Sequence, residues 1–260
     1  MRVQRSRREV RPAGAVGRRT ISGCRCNTLF AVVAILASAA ASADAADWGG
    51  MLAWNSDTVY RGFSQTAGRP GWAADLHLEV DSRWTIGIGA TAEHLPGQSA
   101  GAQLTGYLDR HWRLGDEWAA RLGLRHVESP WRTIPGHARH DEFAGAVDWR
   151  GRWQASLAFS PNYPGYSSRG RLQQGRAWSA EVTWHQPLGH GFLIDAGIGY
   201  SDLPGSLKLS YPYASASLGY ALGDVYVYAT RIWTGSLGEP ANFWIEEPGS
   251  RWVAALVWSY

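Results

Sequence analysis

The sequence predicts an all-β chain: a single transmembrane antiparallel up-and-down β-barrel of about twelve strands over 46–260, behind a signal peptide at 1–45. Three observations carry this. Apolar and polar residues alternate with period two over segments of roughly ten residues. The links between those segments are alternately short and long. The chain also holds 15 Trp, 11 Tyr and 6 Phe among 260 residues, with Trp concentrated near segment ends, where a strand leaving lipid for water places amphipathic rings.

The leader comes first. Residues 1–45 carry eight Arg, with Glu9 and Asp44 as the only acids. An apolar run over 29–36 follows the basic stretch, and Ala41, Ala43 and Ala45 then offer small-x-small cleavage sites. That run is too short for a membrane span. Arg18 and Arg19 are also compatible with a twin-arginine signal. Cys24 and Cys26 precede the apolar run, so cleavage near Ala45 leaves a mature chain with no disulfide, thiol nucleophile or Cys-ligated metal. Residues 46–260 hold 17 of the 25 basic and 20 of the 22 acidic side chains, a balance of −3, so the basic pI belongs to the leader and no nucleic-acid partner is expected.

Twelve strands follow, near 51–62, 71–80, 84–95, 103–114, 118–128, 141–150, 153–161, 176–187, 191–201, 211–222, 225–234 and 251–260. In the second, Trp72, Ala74, Leu76, Leu78 and Val80 alternate with Ala73, Asp75, His77 and Glu79. In the third, Trp84, Ile86 and Ile88 alternate with Thr85, Gly87 and Gly89. The seventh, eighth and ninth repeat the pattern with Trp153, Leu157 and Phe159, with Trp178, Val182 and Trp184, and with Phe192, Ile194 and Ile198. The last strand ends on Tyr260, and an alternating C-terminal strand closing on an aromatic resembles the signal read by the barrel-assembly machinery, an expected partner during biogenesis. Five links are short, at 81–83, 115–117, 151–152, 188–190 and 223–224. Six are long and rich in Gly, Pro and polar residues, at 66–70, 96–102, 129–140, 161–175, 203–210 and 235–250. Short periplasmic turns and long outer loops have this asymmetry. Closure is obligatory because in hydrocarbon every backbone N–H and C=O must be paired. The competing architecture is a soluble β-sandwich or lipocalin-like barrel, which would bury its apolar face instead of presenting it to membrane lipid.

Near the start, Ser56, Asp57, Arg61, Gly62, Ser64, Gln65 and Thr66, followed by Pro70, form the run S-D-x-x-x-R-G-x-S-Q-T. It resembles the opening signature of the proteobacterial Gcw_chp, or TorF-type, porin family, with Thr58 in place of the usual aromatic. The signature covers about a tenth of the mature chain. The resemblance implies an outer-membrane barrel of porin type and supplies no catalytic residue. From spacing alone, Asp57 and Arg61 share one face of the first strand, where they would shape the strand-to-loop junction or meet a solute at the mouth.

No G-x-S-x-G elbow, H-E-x-x-H, P-loop or G-x-G-x-x-G is present, and no cofactor or metal is expected. His137 and His140 with Asp141 and Glu142 have ligand chemistry but read as a solvated loop. Parity places Asp75, Glu79, Asp109, Arg113, Arg121, Arg125, Glu181 and Asp195 on the lumen side as candidate pore-lining residues. The expectation is a non-enzymatic outer-membrane barrel with a narrow lumen for passive passage of small solutes or ions, with Arg121 and Arg125 in its constriction. Two alternatives stand beside it: a closed structural or adhesive barrel acting through its outer loops, with 235–250 as contact surface or plug, and an outer-membrane lipid hydrolase.

Overall fold

The computed structural model describes residues 46–81, 83–94, 100–130, 138–166, 172–203, 209–235 and 249–260. The leader and most of the 235–250 loop lie outside these.

Twelve antiparallel strands close into one barrel: β1 (Ala46–Asn55), β4 (Gly71–Val80), β5 (Trp84–Glu93), β6 (Gly101–Arg113), β7 (Trp118–Ser129), β8 (Ala138–Trp149), β9 (Trp153–Tyr166), β10 (Leu172–Gly189), β11 (Phe192–Leu203), β12 (Leu209–Leu222), β13 (Val225–Thr234) and β14 (Ser250–Ser259). Two further strands, β2 (Val59–Tyr60) and β3 (Phe63–Ser64), form a separate hairpin. Each wall strand pairs with its sequence neighbours, and β1 closes the ring against β14 from Met51↔Ser259 to Asn55↔Ala255. The terminal residue completes the seam, since Gly50 and Tyr260 exchange both backbone hydrogen bonds at 3.1 Å.

Alternation decides which face each side chain takes. Leu52, Leu76, Leu108, Leu122, Val147, Leu157, Val182, Ile198, Leu218, Val227 and Leu256 all point outward and are exposed, one from nearly every strand around the ring. A sandwich or lipocalin would bury these residues, so a continuous outward apolar belt requires an apolar surrounding phase. Aromatic pairs rim the belt at both ends. Trp118 meets Trp149 and Trp153 meets Trp184 near the short turns, with ring centroids 6.2 and 6.3 Å apart. Near the long loops Trp178 stacks by Tyr200 at 5.3 Å and donates its Nε1–H to Asp202 at 3.1 Å. Such rings keep an apolar body in lipid and a polar edge in the interface.

The inward glycines have a packing role. Gly87 faces Tyr107 and Gly199 faces Tyr213 across adjacent strands, and each tyrosine ring lies where a Cβ would stand. The ring covers the bare backbone of its neighbour and stiffens a wall that carries few large inward side chains there.

Two expectations about the strands need correction. The first strand does not run over 51–62. It begins at Ala46, ends at Asn55, and gives way to the β2–β3 hairpin, so Asp57 and Arg61 do not share a strand face. Past Trp54 the lipid-facing positions turn polar at Ser56 and Thr58, and the backbone turns back at Arg61 and Gly62, whose φ angles are +49° and +83°. The expected loop at 161–175 is largely strand: β9 runs to Tyr166 and β10 starts at Leu172. Pro161 and Asn162 fall where the register slips opposite Gly175 and Ala177, and a bulge is where a sheet accepts a residue without an N–H.

Candidate solute pathway

The β2–β3 hairpin belongs to the first long connection, 56–70, and folds back into the outer mouth of the barrel. Its turn follows from two residues. With Val59↔Ser64 and Tyr60↔Phe63 paired, Arg61 and Gly62 are the two central residues, and positive φ at both is the type I′ geometry that suits a tight two-residue hairpin. The direction of folding is set by contacts with wall strands well apart. The Arg61 guanidinium donates to Glu142 Oε2 on β8 at 2.8 Å, five strands around the ring from β1. Thr234 Oγ1 at the outer end of β13 donates to the Gly62 carbonyl at 2.6 Å. Phe63 packs edge-on against Tyr211 of β12, with ring centroids 4.4 Å apart. The hairpin therefore crosses the mouth and is held from both sides.

The root of the hairpin is a second polar knot. Arg251 of β14 donates to Asp57 Oδ2 at 3.1 Å. Ser64 donates to Asp57 Oδ1 at 2.5 Å and accepts the Gly68 amide at 3.0 Å. Thr66 Oγ1 lies 2.9 Å from Asp57 Oδ1 and accepts the Thr58 amide at 3.0 Å. Ser56 extends the barrel seam by accepting the Ala254 amide, and the Gln65 carbonyl accepts the His94 amide. Asp57, Arg61, Gly62, Ser64 and Thr66 thus hold the root or the turn of one inward hairpin, while Ser56 and Gln65 tie its flanks to β14 and to the residue after β5. Asp57, Thr66 and Glu142 are each 5 % exposed or less, so these charges and hydroxyls are satisfied by each other and not by water.

Below the hairpin both arcs of the wall carry inward charges, Asp75, His77, Asp109 and Arg121 on β4–β7 and Glu181, His185 and Asp195 on β10 and β11, with small residues such as Ala146, Ser156, Ser179 and Ser215 around the latter. The Arg121 and Arg125 side chains are 39 % and 30 % exposed and those of His185 and Asp195 are 44 % and 33 % exposed, although all four point inward. The inner barrel therefore holds partly exposed charges beneath a buried outer knot.

The candidate pore-lining residues distribute along this path. Arg125 lies 3.8 Å from Glu142 and so adjoins the Arg61 contact, making Glu142 the carboxylate between two arginines. Arg121 lies 3.8 Å from Asp109, which is buried against Gly123. Asp75 accepts from Tyr107 at 2.9 Å and lies 2.8 Å from His77. Glu181 accepts from Tyr213 at 3.0 Å, and Asp195 lies 2.5 Å from His185. Glu79 and Arg113 are exposed at the end bearing the short turns. Of Arg121 and Arg125, expected together in a constriction, only Arg125 adjoins the Arg61–Glu142 contact. Arg121 sits lower, because four residues along a strand carry it more than 10 Å away.

Parity also separates the His140, Asp141 and Glu142 run. His140 and Glu142 point inward, His140 lying beside Tyr163 with centroids 4.7 Å apart, while Asp141 points outward to His126 and Asn162. His137 lies outside the described residues, as do Phe243, Trp244, Glu246 and Glu247 of the last long loop. Sequence reading missed Glu142 and Arg251 as lumen residues. Strand parity alone, extended to the first residues of β8 and β14, would have found both.

The barrel is similar in structure to KdgM porin, with TM-score 0.50 and 8 % identity over 82 % of this chain and 99 % of that chain. NanC porin gives TM-score 0.48 and 10 % identity over 82 % and 99 % of the two chains. The COG4313 outer membrane channel from Pseudomonas putida F1 gives 0.46 and 10 % over 82 % and 94 %. No family model and no curated relative matches the sequence. At these identities the KdgM likeness establishes the fold: a closed twelve-stranded antiparallel barrel resembling an outer-membrane porin.

Proposed function

We propose that this chain is a narrow outer-membrane channel that passes small solutes or ions passively, with its outer mouth gauged by the 56–70 hairpin. The observation that carries the reading is the contrast along the axis. Arg121, His185 and Asp195 in the inner barrel keep exposed side chains, although Asp109 beside Arg121 is buried, while the hairpin knot around Asp57, Thr66 and Glu142 is buried as a whole. A barrel filled throughout by ion pairs would bury its charges at every level. Here the restriction is local, short and charged on both sides, which is how a pore sets size and sign together.

The leader at 1–45 supports export, and the outward apolar belt with its aromatic rims supports an outer-membrane location. The run Ser56–Thr66 supports placement among the Gcw_chp barrels through its likeness to their opening signature. The experiment is reconstitution of refolded 46–260 into vesicles loaded with an impermeant osmolyte, followed by swelling in sugars and amino acids of increasing size. Swelling with the smallest solutes and a sharp size limit is expected. Vesicles holding folded barrel that admit no solute would favour the closed barrel acting through its outer loops.

A further inference from the structure

The outer wall carries a charge that the channel does not use. Arg110 of β6 points outward, three residues before the end of its strand at the short-turn side. Its guanidinium lies over the Trp84 ring at 4.8 Å and the Trp112 ring at 5.3 Å. Among the described residues it forms no ion pair with a carboxylate. A cation on the lipid face is costly unless water or an anion meets it, and the two rings hold this one as a flat, oriented fork rather than letting it swing to the interface.

Beside Arg110 on the outer wall lies a groove of about 540 Å³, reaching from Arg110's own register row at Leu122, Gly145 and Leu157 to the next row away from the short turns at Leu108, Phe143 and Phe159. Leu108, Leu122, Phe143, Leu157 and Phe159 form its sides, and Gly145 forms its floor between Leu122 and Leu157. Its lining is almost wholly apolar, and its head is the Arg110–Trp84–Trp112 cluster. A cation at the periplasmic end and an apolar trough rising from it match one molecule in both charge and direction: a phospholipid of the periplasmic leaflet, headgroup down and acyl chain up.

We infer that Arg110, Trp84 and Trp112 bind the phosphate of a periplasmic-leaflet phospholipid whose acyl chain lies in the Leu108–Phe159 groove. The site rests on the membrane-spanning reading but not on channel activity. Arg231, the outward arginine of β13, is the internal control. It stacks on Trp252 at 5.4 Å but already donates to Ser250.

The test is native mass spectrometry of the barrel extracted from vesicles of phosphatidylethanolamine and phosphatidylglycerol, with folding checked by heat-modifiable electrophoretic mobility. Wild type and Arg231→Gln should each retain one phospholipid. Arg110→Gln should weaken retention about tenfold or more, the loss of a charge-assisted contact. Gly145→Leu, which fills the trough and leaves Arg110 intact, should weaken it as well. Folded, inserted Arg110→Gln that retains lipid as wild type does would overturn the site. Displacement of the lipid from wild type by equimolar inorganic phosphate would overturn its assignment to a lipid. A barrel that fails to insert in any form would instead defeat the membrane reading itself.

Discussion

Arg61 and Glu142 meet at 2.8 Å across the outer mouth, joining a turn that follows β1 to a strand five places away around the ring. The side chain of Glu142 is 3 % exposed, and Arg125 lies farther off at 3.8 Å. Removing one partner of such a pair leaves the other desolvated, at a cost of about 3 kcal/mol or more. Arg61→Ala and Glu142→Gln should therefore each release the hairpin tip. The exchange Arg61→Glu with Glu142→Arg should restore part of the docking. Cleavage of the 56–70 segment by added protease, in intact barrels, measures the release.

The turn can be separated from the ion pair. A Cβ at Gly62 would lie 2.9 Å from Cβ of Tyr213, at a φ of +83°. Gly62→Ala should cost about 1–2 kcal/mol of hairpin docking by backbone strain and crowding, with Arg61 intact. Arg61→Asn should do the reverse, since Asn accepts the left-handed conformation but carries no charge. The same proteolysis assay should show both hairpins loosened, and only Arg61→Asn should change ion selectivity.

Selectivity should follow the accessible lumen charges. Arg121→Glu and Arg125→Glu each reverse a charge in a region reached by water. Reversal potential under a salt gradient should move toward cation preference in both, more for Arg125 because it adjoins the Glu142 restriction. No change in either would remove these arginines from the pathway.

The tyrosine–glycine contacts should set barrel rigidity. Tyr213 covers Gly199 and also donates to Glu181 at 3.0 Å. Gly199→Ala should cost about 1–3 kcal/mol by overpacking, and Tyr213→Phe about 1 kcal/mol by loss of one hydrogen bond. The temperature at which the folded band converts to the unfolded one in electrophoresis should fall in that order.

One pH effect belongs to the periplasmic turns. Arg150, in the turn between β8 and β9, donates to Glu117, in the turn before β7, and holds that carboxyl below its ordinary range. A carboxyl depressed in the folded state contributes stability above its unfolded pKa and loses it as pH falls through the folded value. Wild type should therefore lose stability on acidification below the usual carboxylate range more steeply than Glu117→Gln. Because both groups are exposed, the difference should shrink in high salt.

Strand count, turn asymmetry and the outward apolar belt were all legible in the sequence, because period-two alternation is a local property and each wall strand has one lipid face. The seam was legible too, in the alternation running into Tyr260. The inward hairpin was not. The wall strand ends at Asn55, and the chain then turns back on itself at Arg61 and Gly62, a backbone conformation that periodicity does not register. The partners of the hairpin were equally hidden. Glu142 and Arg251 sit 81 and 194 residues away from theirs in sequence, and only barrel closure brings them to the mouth.

The most direct test is single-channel conductance in a planar bilayer, comparing folded 46–260 with its Arg61→Ala variant. Wild type should give small, discrete steps, and the variant larger steps at the same applied potential. Silence from both, with insertion demonstrated, or identical steps from both, would contradict a channel restricted by this hairpin.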